Sequence, residues 1–206
     1  MSLTKPYSPS TPSTMQTRHG PIALPERLSL KDFEGLDWVK EERWELIEGV
    51  PCMSPSGIPE HQHLGMVLAS WLNGLLESLG YFIVPDVDIR FSAQDSYLRP
   101  DLSAFHPDRL PKEGKLPVSE LPVLVVELLS ASTAANDLGP KLTVYSTAGV
   151  EEYWVVDPKT GAVMLFVLNQ NGYEQQSTDS NGRVTSPLLN RSFRIVREGI
   201  RYRIVE

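Results

Sequence analysis

Between residues 59 and 79, Leu64, Val67, Leu68, Trp71, Leu72, Leu75, Leu76 and Leu79 recur at three- and four-residue spacing. That period predicts a long amphipathic helix, opened by Pro59 and stopped by Gly80. A short helix is expected over residues 29–39, beginning near Ser29. Residues 44–53 read as a strand that Gly49 and Pro51 bend or end. Residues 81–91 alternate, with Phe82, Val84, Val87, Ile89 and Phe91 apolar and Pro85 shifting the phase. After a polar turn at 92–96, residues 98–105 return as the second arm of a hairpin.

Residues 107–120, with three prolines, read as a loop. Residues 123–129 are almost continuously apolar, as expected of a strand buried on both faces. A helix follows over residues 137–148, with Asp137 as its cap and Gly149 as its stop. Residues 153–156 read as another buried strand. Asp157-Pro-Lys-Thr-Gly161 is a turn, and residues 162–168 are its hairpin partner. Asn171-Gly172 and Asn181-Gly182 mark further turns. The chain closes on strand-like pieces near 193–196 and 200–205.

The strand–helix–strand unit over residues 123–156 predicts two parallel neighbours with a right-handed crossover. The fold class is therefore mixed α/β (α+β), with a central mixed sheet flanked by helices. Residues 1–24 are rich in Ser, Thr and Pro. They bury too little apolar surface to offset chain entropy, so a flexible tail is expected there and one domain over 25–206.

Composition changes this picture little. Of 206 residues, 41% are hydrophobic and 22% charged, enough for a core without staples. Cys52 is the single cysteine, which excludes an intrachain disulfide and a Cys-based zinc site and fits a cytoplasmic location. No signal peptide is visible, and no apolar run approaches the ~18 residues of a membrane helix. The net charge of -7 argues against non-specific nucleic-acid binding. It is compatible with an enzyme that holds a divalent metal on carboxylates. P-loop, G-x-G-x-x-G and G-x-S-x-G signatures are all missing.

Glu127 is the most informative residue, because a carboxylate inside an apolar run is costly unless paired or metal-bound. A salt bridge to a neighbouring Arg or Lys would satisfy it equally. Asp101 ends Arg99-Pro100-Asp101 and reads alone as a turn or cap aspartate. Together, Asp101 and Glu127 lie on two successive strands. Paired carboxylates suit Mg²⁺, which keeps several waters and can polarise a phosphoryl oxygen. Lys141 stands four residues after Asp137 and reads either as a surface ion pair or as a group that orients an attacking water.

Alternation in Trp44-Glu-Leu-Ile-Glu-Gly49 lets only one of Glu45 and Glu48 face a site. His61 and His63, two apart, cannot form a helical zinc pair. They read as polar first-turn residues, with His61 also placed to contact a phosphate. The arginines at 183, 191, 194, 197, 201 and 203 read as a solvated sheet edge rather than a nucleic-acid footprint.

Several segments in order resemble one family. They are Trp44-Glu-Leu-Ile-Glu-Gly49, Ser54-Pro55 with His61, Arg99-Pro-Asp101, and Leu124-Val-Val-Glu-Leu-Leu-Ser-Ala-Ser-Thr133 with Asp137 and Lys141. Tyr145 and Gly149-Val-Glu-Glu-Tyr-Trp-Val-Val-Asp-Pro158 complete the series. Over roughly residues 28–170 the chain resembles the Uma2 family, a bacterial group expanded in cyanobacteria and classed with restriction endonucleases.

The resemblance implies a PD-(D/E)xK nuclease fold and hydrolysis of DNA phosphodiesters dependent on Mg²⁺ or Mn²⁺. Asp101 and Glu127 match the two acids, and Glu45 matches an upstream glutamate that would help hold the metal. Leu129 stands where the usual lysine would be, and Lys141 matches the family's displaced alternative. Ala131 replaces a proline common in this motif. Homodimerisation would suit an enzyme that cuts both strands. The competing expectation is an inactive module of this fold that binds a protein or nucleic acid.

Overall fold

The computed structural model describes residues 14–37, 42–54 and 57–206. It begins with a hairpin of β1 (Thr14–Thr17) and β2 (Gly20–Ala23). This corrects the expected tail. Met15 is fully buried in a cluster with Phe33, Trp44 and Leu46. One well-placed apolar side chain is enough when neighbouring elements supply the rest of the core. The remainder of the expected tail, residues 1–13, lies outside the described residues.

Helix α1 (Leu30–Glu34) is shorter than expected. Ser29 caps it, its Oγ accepting the Asp32 N–H at 3.1 Å. Residues 44–53 form two strands rather than one, β3 (Arg43–Ile47) and β4 (Val50–Ser54). Glu48 and Gly49 join them with φ of 48° and 81°, the two positive values that a tight hairpin turn requires. Helix α2 (Pro59–Leu76) follows, with a 3₁₀ turn to Leu79 and a left-handed Gly80.

The next region keeps the antiparallel register of the expected hairpin, from Phe82 opposite Phe105 to Phe91 opposite Ser96, but splits it between two sheets. Its arms divide into β5 (Phe82–Pro85), β6 (Ile89–Phe91), β7 (Ser96–Leu98) and β8 (Leu102–Phe105). β6 pairs with β7 in one sheet, and β5 pairs with β8 in another. The breaks fall at Pro85-Asp86 and Pro100-Asp101, where a proline cannot donate to a ladder.

β9 (Leu124–Leu128) is buried throughout. The expected helix over 137–148 is instead α3 (Ala134–Asp137) and α4 (Pro140–Ala148), separated by Gly139. Asp137 is thus the last residue of α3, not the cap that opens a helix. Then come β10 (Glu152–Val156), β11 (Val163–Asn169), β12 (Gly172–Gln175), β13 (Val184–Ser186), β14 (Arg191–Glu198) and β15 (Arg201–Val205).

The central sheet has the order β12-β11-β10-β9-β8-β5. Only β9 and β10 are parallel within it, so it is mixed, as expected. Three smaller sheets are β4-β3-β7-β6, β13-β14-β15 and the first hairpin. Period-2 alternation divides the core. Leu124, Val126, Leu128, Trp154 and Val156 meet the Leu64, Leu68, Leu72 and Leu76 stripe of α2 together with Phe193 and Tyr202. Val125, Tyr153 and Val155 face Val144 and Tyr145 of α4. Glu127 shares that second face. Among the described residues no helix is long and apolar enough to cross a membrane.

Candidate active site

Glu127 sits near the end of β9, paired with Val155 across the parallel ladder. The Leu102–Val126 register brings Asp101 alongside it. Asp101 Oδ2 accepts the Leu128 N–H at 2.7 Å, which ties the two acidic residues to one strand end. From α4, buried Lys141 and Tyr145 project on one face, four residues apart. Lys141 Nζ lies 3.0 Å from Glu127 Oε1, and Tyr145 Oη donates to the same oxygen at 2.8 Å.

Glu45 reaches the cluster from β3. Its Oε2 is 3.0 Å from Lys141 Nζ and accepts from Ser54 Oγ at 2.9 Å. Its Oε1 accepts the Arg99 N–H at 2.9 Å. Glu48 points elsewhere from the β3–β4 turn and is exposed, so a single glutamate of the pair faces the site. Asp137 Oδ1 lies 3.3 Å from Lys141 Nζ but makes no well-aligned hydrogen bond. Tyr153 Oη donates to the Asp137 carbonyl at 2.9 Å and holds α3 against the sheet.

Glu45, Glu127, Asp137 and Lys141 are all almost fully buried. Three carboxylates against one ammonium leave an excess of negative charge. Burial pushes the Glu127 and Asp137 carboxyls above the usual carboxylate range, and Lys141 opposes the rise. Burial alone would lower the Lys141 pKa. Glu127, Glu45 and Asp137 outweigh it and hold the ammonium well above its ordinary value. Burial likewise raises Tyr145, so its hydroxyl stays a donor.

His61, in the first turn of α2, places Nε2 3.1 Å from the Leu128 carbonyl and 3.5 Å from Asp101 Oδ2. Two acceptors around one nitrogen assign the proton to Nε2. Burial disfavours the imidazolium, but hydrogen bonding and the Asp101 charge raise its pKa overall. His63 lies apart from these groups, its ring 6.0 Å from Tyr202.

The cluster lines a cleft of about 400 Å³, whose walls include Arg43, Ser130 and Lys159. A second groove of about 280 Å³, lined by Met66 and Asp86, shares His61, Asp101 and Leu128 with the first. Asp101 therefore sits where the two meet.

Asp101, Glu127, Glu45, Lys141 and His61, all singled out in the sequence, converge here. Sequence reasoning made Asp137 a helix cap, which it is not, but also offered its i,i+4 pairing with Lys141, which is present though buried; it assigned Tyr145 no role. The signal was their spacing: Asp137, Lys141 and Tyr145 fall four residues apart, so the last residue of α3 and two residues of α4 meet beside a buried strand.

Donor chemistry permits a hard divalent cation. No hydrogen bond engages Asp101 Oδ1 or Glu127 Oε2 among the described residues, and the excess negative charge is what a cation would relieve. Among the same residues no three His, Cys, Asp or Glu side chains form a ready-made metal cage. Two carboxylates suit an ion that keeps most of its waters.

No curated protein matches the chain. A crystal structure described as that of "a putative nuclease belonging to DUF820" from Anabaena variabilis superposes with a TM-score of 0.65. It shares 19% sequence identity, and the match covers 79% of this chain and 91% of that one. At that identity the likeness shows the fold. The Uma2 family model, described as "Putative restriction endonuclease", matches residues 30–196. That span takes in both acids, the lysine and the whole central sheet, and the chain belongs to the Uma2 family.

Proposed function

We propose that this protein is a Mg²⁺- or Mn²⁺-dependent endonuclease that hydrolyses phosphodiester bonds of DNA. The observation that carries this reading is the placement of Lys141 Nζ 3.0 Å from Glu127 Oε1, beside an Asp101 tethered to the same strand end. A lysine missing two residues after Glu127 is thereby supplied in space from α4.

Asp101 and Glu127 would hold the metal through their unengaged oxygens. Bound there, Mg²⁺ supplies Lewis-acid polarisation of the phosphoryl group and a lower pKa for an attacking water. Glu45 was expected as a further ligand. Both its oxygens are engaged by Arg99, Ser54 and Lys141, which favours a role in holding the lysine. Lys141 remains protonated, so it serves as a fixed positive donor and not as a general base. It would orient the attacking water and offset charge that develops on the phosphate oxygens. His61 fixes Asp101 and the Leu128 carbonyl from the opposite side. The water would attack phosphorus in line with the ester oxygen that departs.

Incubation of plasmid DNA with the purified protein and Mg²⁺ or Mn²⁺ tests the reading, beside Glu127→Ala and an EDTA control. Nicking by the wild type that both controls abolish is the expected result. Equal nicking by Glu127→Ala would overturn the assignment.

A further inference from the structure

The acid cluster repels the polyanion it is proposed to cut, and the chain as a whole carries -7. A cation must therefore hold the substrate backbone at the cleft. Of the described cations lining the cleft, Lys141 is committed to three carboxylates. Arg99 spends Nε and Nη2 on Asp88, at 2.6 and 2.9 Å. Lys159 stands on the exposed turn after β10. Arg43 differs from all three. It begins β3 and shares a face with Glu45, two residues on. Its side chain is 19% exposed and donates through Nη2 to Asp86, while its buried Nε has no partner among the described residues.

An arginine placed only to stitch two sheets would use its fork as Arg99 does. Arg43 instead pairs through one terminal nitrogen with a half-exposed carboxylate. Asp86 lines the second groove, and its N–H donates to the Asp101 carbonyl at 3.3 Å. The Arg43–Asp86 pair thus spans the junction of the two grooves beside Asp101.

We infer that Arg43 is a phosphate-binding residue, parked on Asp86 in the free protein and transferred to a backbone phosphate next to the scissile one when DNA enters. The inference rests on the nuclease reading and names the group that positions its substrate. Asp86 then acts as a competitor for the guanidinium, so that its removal strengthens binding.

The test is fluorescence anisotropy of a fluorescein-labelled DNA duplex with the full chain in EDTA, across a series of salt concentrations. The variants are Arg43→Gln, Arg43→Lys, Asp86→Asn and Arg203→Gln. The last is a control on the outer C-terminal sheet, where Arg203 pairs with Glu198. Arg43→Gln is expected to weaken binding roughly tenfold and to reduce the slope of log affinity against log salt by about one, the loss of one phosphate contact. Asp86→Asn is expected to tighten binding severalfold, and Arg43→Lys to keep the wild-type slope.

A purely structural pair would lower the melting temperature in Asp86→Asn without tightening binding, and that result overturns the inference. So does an equal effect of Arg43→Gln and Arg203→Gln. If the wild type binds and cuts DNA while the Arg43 variants match it, only this assignment falls. If the wild type neither binds nor cuts, the nuclease reading falls with it.

Discussion

Lys141 Nζ meets Glu127 Oε1 at 3.0 Å across fourteen residues of sequence and a change of element, from strand to helix. A lysine two residues after Glu127 would point to the same face of β9 as the acid. Lys141 reaches that carboxylate from the helix packed on this face. The ammonium is thereby decoupled from the strand and can be held by Glu45 and Asp137 as well.

Replacing this lysine has a signed pH signature. Lys141→Met leaves three buried carboxylates without their cation, a change that costs on the order of 3–5 kcal/mol when the acids stay ionised. Glu127 and Asp137 already have raised pKa values, and loss of Lys141 raises them further. A carboxyl with a raised folded-state pKa stabilises the fold below its unfolded value and loses that stability as pH rises through the folded one. The deficit of Lys141→Met should therefore be small near about pH 4 and grow toward about pH 8. Urea unfolding at several pH values reads it. A deficit that shrinks as pH rises would show that these acids are not what the lysine neutralises. Cleavage should be abolished throughout.

Tyr145 supplies the second donor to Glu127 Oε1. Tyr145→Phe keeps the ring packed against Phe91 and Tyr153 and removes only the hydroxyl. Stability should fall by about 1 kcal/mol, the net worth of one hydrogen bond. The nicking rate should drop several-fold rather than vanish, because Lys141 still holds the carboxylate. A rate as low as that of Glu127→Ala would mean that the hydroxyl does more than orient Glu127.

Gly139 sets the angle between α3 and α4, hence the approach of Asp137 to Lys141. A Cβ there would stand 2.7 Å from the Ala135 carbonyl oxygen, a contact with backbone that cannot swing aside. Gly139→Ala should displace α3 and lower both melting temperature and cleavage. Gly74, inside α2, is the contrasting case, since nothing lies within 4 Å of its added Cβ. Gly74→Ala should raise stability by up to about 1 kcal/mol through helix propensity alone. Thermal melts of the two variants side by side check both expectations.

Long-range order was legible where one period ran uninterrupted. The Leu64–Leu76 stripe gave α2, and the apolar run around Glu127 gave a strand buried on both faces. Asp101 and Glu127 were legible because carboxylates beside such a run need a reason. The partition of residues 81–105 between two sheets was not, since Val84 and Ile89 are equally good strand residues and nothing local says which ladder each joins. Met15 is one apolar residue in a polar stretch, and its burial depends on Phe33 and Trp44, remote in sequence. The depth of Lys141 was hidden for a similar reason. An Asp–Lys spacing of four reads as a surface pair until the sheet that covers it is known.

Glu152 provides a test away from the cleft. Its carboxylate is almost fully buried at the start of β10 and has no cation beside it among the described residues. Three donors surround it: Leu188 N–H at 2.6 Å, Ser186 Oγ at 2.8 Å and Trp154 Nε1 at 2.9 Å. They pin the C-terminal strands to the central sheet. Burial still outweighs them and raises the carboxyl above its ordinary value of 4.5. Its favourable contribution is therefore complete below that value and declines as pH rises through the raised one. Glu152→Gln removes this titration but turns an amide nitrogen toward either the Leu188 N–H or the Trp154 indole N–H, neither of which can accept, at a cost of about 1–3 kcal/mol. Wild type should be the more stable of the two, by a margin that is widest near about pH 4 and narrows toward about pH 7. Urea unfolding of both proteins at those two pH values measures the margin. If it widens with pH, the three donors outweigh burial and the carboxylate is held ionised.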